Sequence, residues 1–125
     1  MTDLLPVALV EPAKQHLRRQ KLDNYIFDLR KCDEITEQVA IKVRDTWKAI
    51  FDETKAVVPN ASVGGDGQMI LSWNTIEHHL ELEVFSDRPG EWFYLNRLNS
   101  ENWEEDYQPG DTLSSRVISY LKYFV

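Results

Sequence analysis

His79-Leu80-Glu81-Leu82-Glu83-Val84 alternates polar and apolar residues with period two. A β-strand sends successive side chains to opposite faces, so this run sets Leu80, Leu82 and Val84 on one side and His79, Glu81 and Glu83 on the other. Asp87-Arg88-Pro89-Gly90 follows, and then a second β-prone run, Trp92-Phe93-Tyr94-Leu95. Two such runs around a Pro-Gly turn predict an antiparallel hairpin with one acidic face.

The rest of the chain extends that hairpin. Gln68 to Trp73 puts Met69, Leu71 and Trp73 in phase on one face, and Asn74 to Glu77 turns the chain toward His79–Phe85. Glu91–Arg97 completes a meander, and Asn99–Gln108 reads as either a short fourth strand or an ordered loop, closed by Pro109-Gly110. Before the sheet, Ile35, Val39, Val43, Trp47, Ile50 and Phe51 recur at three- and four-residue spacing. That stripe predicts a helix of roughly 22 residues, capped by Asp33 and ended before Pro59. Asn60 to Gly67 reads as a loop. After the sheet, Asp111 or Thr112 caps a final helix with Leu113, Val117, Tyr120, Leu121 and Phe124 on its apolar face.

The N-terminal third is less definite. Pro12 suits a first helical turn and a helix over about residues 12–30 fits, but a break at Asp23-Asn24 fits equally well. Residues 1–11, with Leu4-Leu5-Pro6-Val7-Ala8-Leu9-Val10, read as an edge strand or an extended arm on an apolar surface. The segment is too short for a membrane span, and no positive region precedes it as in a signal peptide.

The whole therefore reads as one α+β domain over residues 1–125. Its antiparallel sheet of three to four strands is packed on one face by a long preceding helix and a C-terminal helix. At 42% hydrophobic and 28% charged, the chain has the balance of a soluble globular protein with one core. The single cysteine, Cys32, excludes an intrachain disulfide and suits a reducing, cytoplasmic setting.

Charge narrows the choice of partner. Residues 1–60 hold 10 acids and 10 bases, whereas residues 61–125 hold 11 acids and 4 bases and so carry the whole net charge of −7. An acidic half disfavours nucleic acid, whose phosphates need Lys and Arg. The counter-feature is Lys14, His16, Arg18, Arg19 and Lys21, with no acid between them. They read as a solvated helix face or, more sharply, as a docking site for an acidic partner or for the acidic half of another copy.

Three arrangements invite a chemical reading, and each is weak. His79, Glu81 and Glu83 share a face with neighbours about 6.5–7 Å apart, too far to share a metal without a ligand from elsewhere. Gly64-Gly65-Asp66-Gly67 lacks the Lys-Ser/Thr and the following helix of a phosphate cradle. Glu104-Glu105-Asp106 alternates across a strand with no His or Lys beside it. No catalytic residue, cofactor-binding residue or metal ligand is expected. The aromatic residues say more. Trp92/Tyr94 and Phe93/Leu95 cannot both be buried against the same helices, so one pair lies on the free sheet face or meets something else. Glu81, Glu83, Glu91, Trp92 and Tyr94 are the expected interaction surface, for a protein partner or a second copy; the alternative is that the N-terminal apolar arm covers the aromatics within the monomer.

Gly65-Asp66-Gly67-Gln68-Met69-Ile70-Leu71-Ser72-Trp73, then Leu80-Glu81-Leu82-Glu83-Val84, then Glu91-Trp92-Phe93-Tyr94, resembles a pattern found in small uncharacterised bacterial proteins. There a Gly-rich turn leads into a strand ending in Trp, then an alternating Leu-Glu strand and an aromatic one. The resemblance covers about a third of the chain, implies a β-meander, and brings no activity with it. The expectation is a bacterial, cytoplasmic, non-catalytic protein that works through protein contacts. An acidic inhibitor or antitoxin-like protein and a small metal-binding enzyme are the alternatives.

Overall fold

The computed structural model describes the backbone of residues 7–125 and the side chains of residues 13–125. It is α+β. Two helices, α1 (Val7–Lys31) and α2 (Glu37–Thr54), precede five strands: β1 (Asn60–Val63), β2 (Met69–Asn74), β3 (His78–Val84), β4 (Gly90–Asn96) and β5 (Asn102–Tyr107). A short helix, α3 (Ser115–Leu121), and a single 3₁₀ turn over Lys122–Phe124 follow. The sheet is an antiparallel meander in the order β1-β2-β3-β4-β5.

The sheet has five strands rather than three to four. β1 falls in the segment expected to be a loop, and the Gly-rich stretch after it is the hairpin turn into β2. In that turn Gly64 donates its N–H to Gln68 O at 2.8 Å, and Gly67 takes a left-handed φ of 77°. β5 settles the Asn99–Gln108 alternative as a strand, despite three consecutive acids. Glu105 points inward, where it accepts from the Ser114 hydroxyl at 2.6 Å and from Arg116 at 3.1 Å.

The helix boundaries also differ from expectation. α1 is continuous through Asp23-Asn24, and it begins at Val7, so Pro12 lies inside it and residues 7–11 are helical rather than an extended arm. Residues 1–6 lie outside the described residues. Asp33 does not cap α2. It adopts a left-handed conformation (φ 56°) in the turn that closes α1, a geometry Asp tolerates better than most residues, and Thr36 caps α2 by accepting from Val39 N at 3.2 Å. At the other end, Ser114 caps α3 in place of Asp111 or Thr112, accepting from Val117 N at 3.2 Å. The same hydroxyl donates to Glu105, so the cap also ties α3 to β5.

Strand alternation sorts the sheet into two faces. Met69, Leu71, Trp73, Leu80, Leu82, Val84, Trp92, Tyr94 and Tyr107 all face inward and are buried. They form one cluster with Leu22 and Ile26 of α1, Val39, Val43, Trp47 and Ile50 of α2, and Val117 and Leu121 of α3. Polar links hold these pieces in register. Lys42 of α2 donates to the carbonyls of Phe85 and Ser86 at 2.9 and 3.1 Å, and the Trp73 indole donates to Val57 O at 2.7 Å. Gly90 is required at the start of β4: a Cβ there would stand 2.5 Å from Glu83 O, inside van der Waals contact with backbone.

Candidate protein-binding face

The outward residues of the sheet line up in rows fixed by strand register. One row runs Ile70, Glu83, Glu91, Asp106 across β2 to β5; the next runs Ser72, Glu81, Phe93, Glu104. A third runs Asn74, His79, Leu95, Asn102. None of these outward residues is buried. Phe93 is thus flanked in its own row by Glu81 and Glu104, while Glu83, Glu91 and Asp106 occupy the adjacent row. Glu81, Glu83, Glu91, Phe93 and Glu104 line a shallow hollow of about 210 Å3.

Five carboxylates share this face with no Lys or Arg among the outward positions. Directly opposed like charges on adjacent strands repel, at a cost of roughly 0.2–1 kcal/mol per pair. The strain appears at Glu91. Its carboxyl is held above the usual carboxylate range by partial desolvation against the sheet and by the charges of Glu104, Asp106, Glu83 and Glu81. His79 is the one basic group in these rows. Its Nε2 lies 3.9 Å from Glu81 and its Nδ1 is 2.6 Å from Asn74 Oδ1, so it borders the acidic patch.

The structure brings Glu81, Glu83 and Glu91 together on the expected face, but it places Trp92 and Tyr94 elsewhere. In the β3–β4 register Trp92 pairs with Leu82 and Tyr94 with Leu80, and paired residues share a face. Both aromatics are therefore core: Trp92 is 0% exposed and Tyr94 1%. The pair left outside is Phe93/Leu95, both partly exposed. Glu104 and Asp106 join the patch because β5 is a full strand. Their alternation with the inward Trp103, Glu105 and Tyr107 was the signal in the sequence that marked them.

The inward face ends in a second polar cluster, at the opposite end of β3 from the hairpin turn. His78 Nδ1 lies 2.7 Å from the Tyr94 hydroxyl, and its ring stacks on Tyr123 with centroids 3.9 Å apart. Tyr120 packs edge-on to Tyr94 at 4.4 Å and its hydroxyl donates to Glu101. These contacts fasten the C-terminal segment onto β3 and β4. Burial raises the Tyr94 phenol above the ordinary tyrosine value, and the hydrogen bond to Glu101 raises that of Tyr120.

Among the described residues no group of three or more His, Cys, Asp or Glu side chains is arranged to hold a metal ion. No helix among them is long and apolar enough to cross a membrane. No family model, no curated protein and no solved structure matches the chain.

Proposed function

We propose that this chain is a non-catalytic protein-binding module whose open sheet face receives a basic partner. A half-buried aromatic ringed by carboxylates carries the reading: Phe93, with Glu81 and Glu104 beside it and Glu83 and Glu91 in the next row. An apolar centre with a charged rim is the usual anatomy of an interface, the aromatic supplying most of the affinity and the rim the selectivity. The mutual repulsion of the carboxylates is relieved when Lys or Arg side chains enter the patch, so the unbound face is poised for a cationic surface.

A basic partner is favoured over a second copy. A two-fold dimer through this face would set the same acidic patch against itself, so that like charges meet. The arrangement suits an inhibitor or antitoxin-like protein that covers a basic target, acting in the cytoplasm of a bacterium.

The test is capture from native-cell lysate on tagged protein, with bound proteins identified by mass spectrometry. Wild type is compared with a Glu81→Lys/Glu83→Lys variant that retains its circular dichroism and melting transition. The expected result is a stoichiometric basic protein held by wild type, released by salt and lost from the variant. A partner retained equally by the variant overturns the reading.

A further inference from the structure

We infer that the cleft between α1 and the β1–β2 end of the sheet binds an amphipathic organic anion, a carboxylate or sulfonate carrying an apolar body. Arg18, Lys21, Leu22 and Tyr25 recur at helical spacing and so share one face of α1, and all four line this cleft. Its volume is about 480 Å3, within the range of small-molecule sites.

The cleft has two chemically distinct parts. Tyr25, Val57, Val58 and Ala61 supply the accessible apolar surface, and Leu22, Trp73 and Phe124, at 5%, 2% and 4% exposed, are the core directly beneath it. Trp73 is further pinned by the hydrogen bond from its indole N–H to Val57 O. Arg18 and Lys21 supply the charge. Neither forms an ion pair or a hydrogen bond to any described residue, whereas Arg19, between them in sequence, lies over the Phe51 ring. The two cations are thus uncommitted and one helical turn apart beside an aromatic wall, in a protein of net charge −7. Asn60 and Ser72 add neutral hydrogen-bonding groups at the sheet edge. An anionic head satisfies Arg18 and Lys21 through charge-assisted hydrogen bonds while an apolar body covers Tyr25, Val57 and Val58. The cleft adjoins the acidic face, with which it shares Ser72, and its test uses Arg18 and Lys21, which that reading does not involve.

The probe is anilinonaphthalene sulfonate, an aromatic anion whose fluorescence rises on desolvation, with neutral N-phenylnaphthylamine as its uncharged counterpart. The expected result is saturable binding of the sulfonate at one site per chain, displaced by decanoate and unaffected by equimolar inorganic phosphate. Arg18→Gln/Lys21→Gln should weaken that binding by about tenfold or more, since charge-assisted hydrogen bonds are lost. The same variant should leave the melting transition unchanged, because both side chains are exposed. Single Arg18→Gln and Lys21→Gln variants should each fall between wild type and the pair. Sulfonate binding that is unsaturable, equal in the double variant, or matched in affinity by the neutral dye overturns the proposal. Displacement by phosphate as effective as by decanoate overturns the amphipathic requirement.

Discussion

Glu83 and Glu91 stand directly opposite one another in the β3–β4 ladder, and Asp106 follows Glu91 in the same row. Three carboxylates in line across three strands make this row the least comfortable part of the sheet electrostatically.

Replacing Glu91 should therefore stabilise the fold. The Glu91 carboxyl is raised, first by desolvation and then by its acidic neighbours. Raised affinity for the proton means the folded state favours neutral Glu91. That advantage is present at low pH and is lost as pH rises from the ordinary value of about 4.3 through the raised one. Glu91→Gln should gain roughly 0.2–1 kcal/mol at neutral pH, a figure set by opposed like charges on adjacent strands. The gain should vanish below the ordinary glutamate range and shrink with added salt, as read from denaturant melts at each condition.

Trp92 should behave as core. It is fully buried, stacks on Trp73 at 6.0 Å and meets Tyr107 edge-on at 6.1 Å. Trp92→Ala should cost about 3–5 kcal/mol in urea unfolding, with little refilling of the space. Trp92→Phe should cost less, since it keeps an aromatic ring and removes an indole N–H that has no hydrogen-bond partner among the described residues.

Gly90→Ala should be disproportionately harmful for a single methyl. The new Cβ would lie 2.5 Å from Glu83 O and 3.4 Å from Tyr107 O, so backbone of β3 must move. We expect a loss of about 1–3 kcal/mol, comparable with overpacking of a tight core. Because Gly90 adjoins Glu91, amide shifts in a two-dimensional NMR spectrum should concentrate at Glu83, Glu91 and Tyr107.

Alkaline stability should fall in a way that reports the aromatic cluster. Burial raises the phenols of Tyr94 and Tyr107, and hydrogen bonding to Glu101 raises that of Tyr120. Groups with raised folded values contribute stability below the unfolded value, and that contribution is lost as pH climbs from about 10 through the folded values. Tyr94→Phe removes one of these phenols and the 2.7 Å contact to His78. It should cost about 0.5–1.5 kcal/mol at neutral pH and flatten the alkaline decline, followed by tyrosinate absorbance and melting in parallel.

Much of this fold was legible where one face of an element is buried and the other wet. Leu80, Leu82 and Val84 against His79, Glu81 and Glu83 allow one reading, and Met69, Leu71 and Trp73 follow the same rule. β1 escaped because Asn60-Ala61-Ser62-Val63 is a short edge strand with two modest apolar residues, held mainly by its ladder to β2. β5 was ambiguous because one of its inward residues is Glu105, whose partners Ser114 and Arg116 come from beyond the strand. Glu81 and Glu83 face outward as the alternation predicts, whereas Trp92 and Tyr94 face inward and Phe93 and Leu95 take the outer face. Trp92-Phe93-Tyr94-Leu95 is apolar in both phases, so periodicity cannot say which face is buried, and the pairing of Leu82 with Trp92 decides it.

If Phe93 and its surrounding carboxylates form a binding surface, the affinity of the captured partner for Phe93→Ala is the decisive measurement. Phe93 is outward and partly exposed, so the variant should keep its fold. A loss in affinity of tenfold or more, about 1.4 kcal/mol, is expected, with the remaining binding falling steeply as salt is raised. A folded Phe93→Ala protein that binds the partner as tightly as wild type, with the same salt dependence, would contradict it.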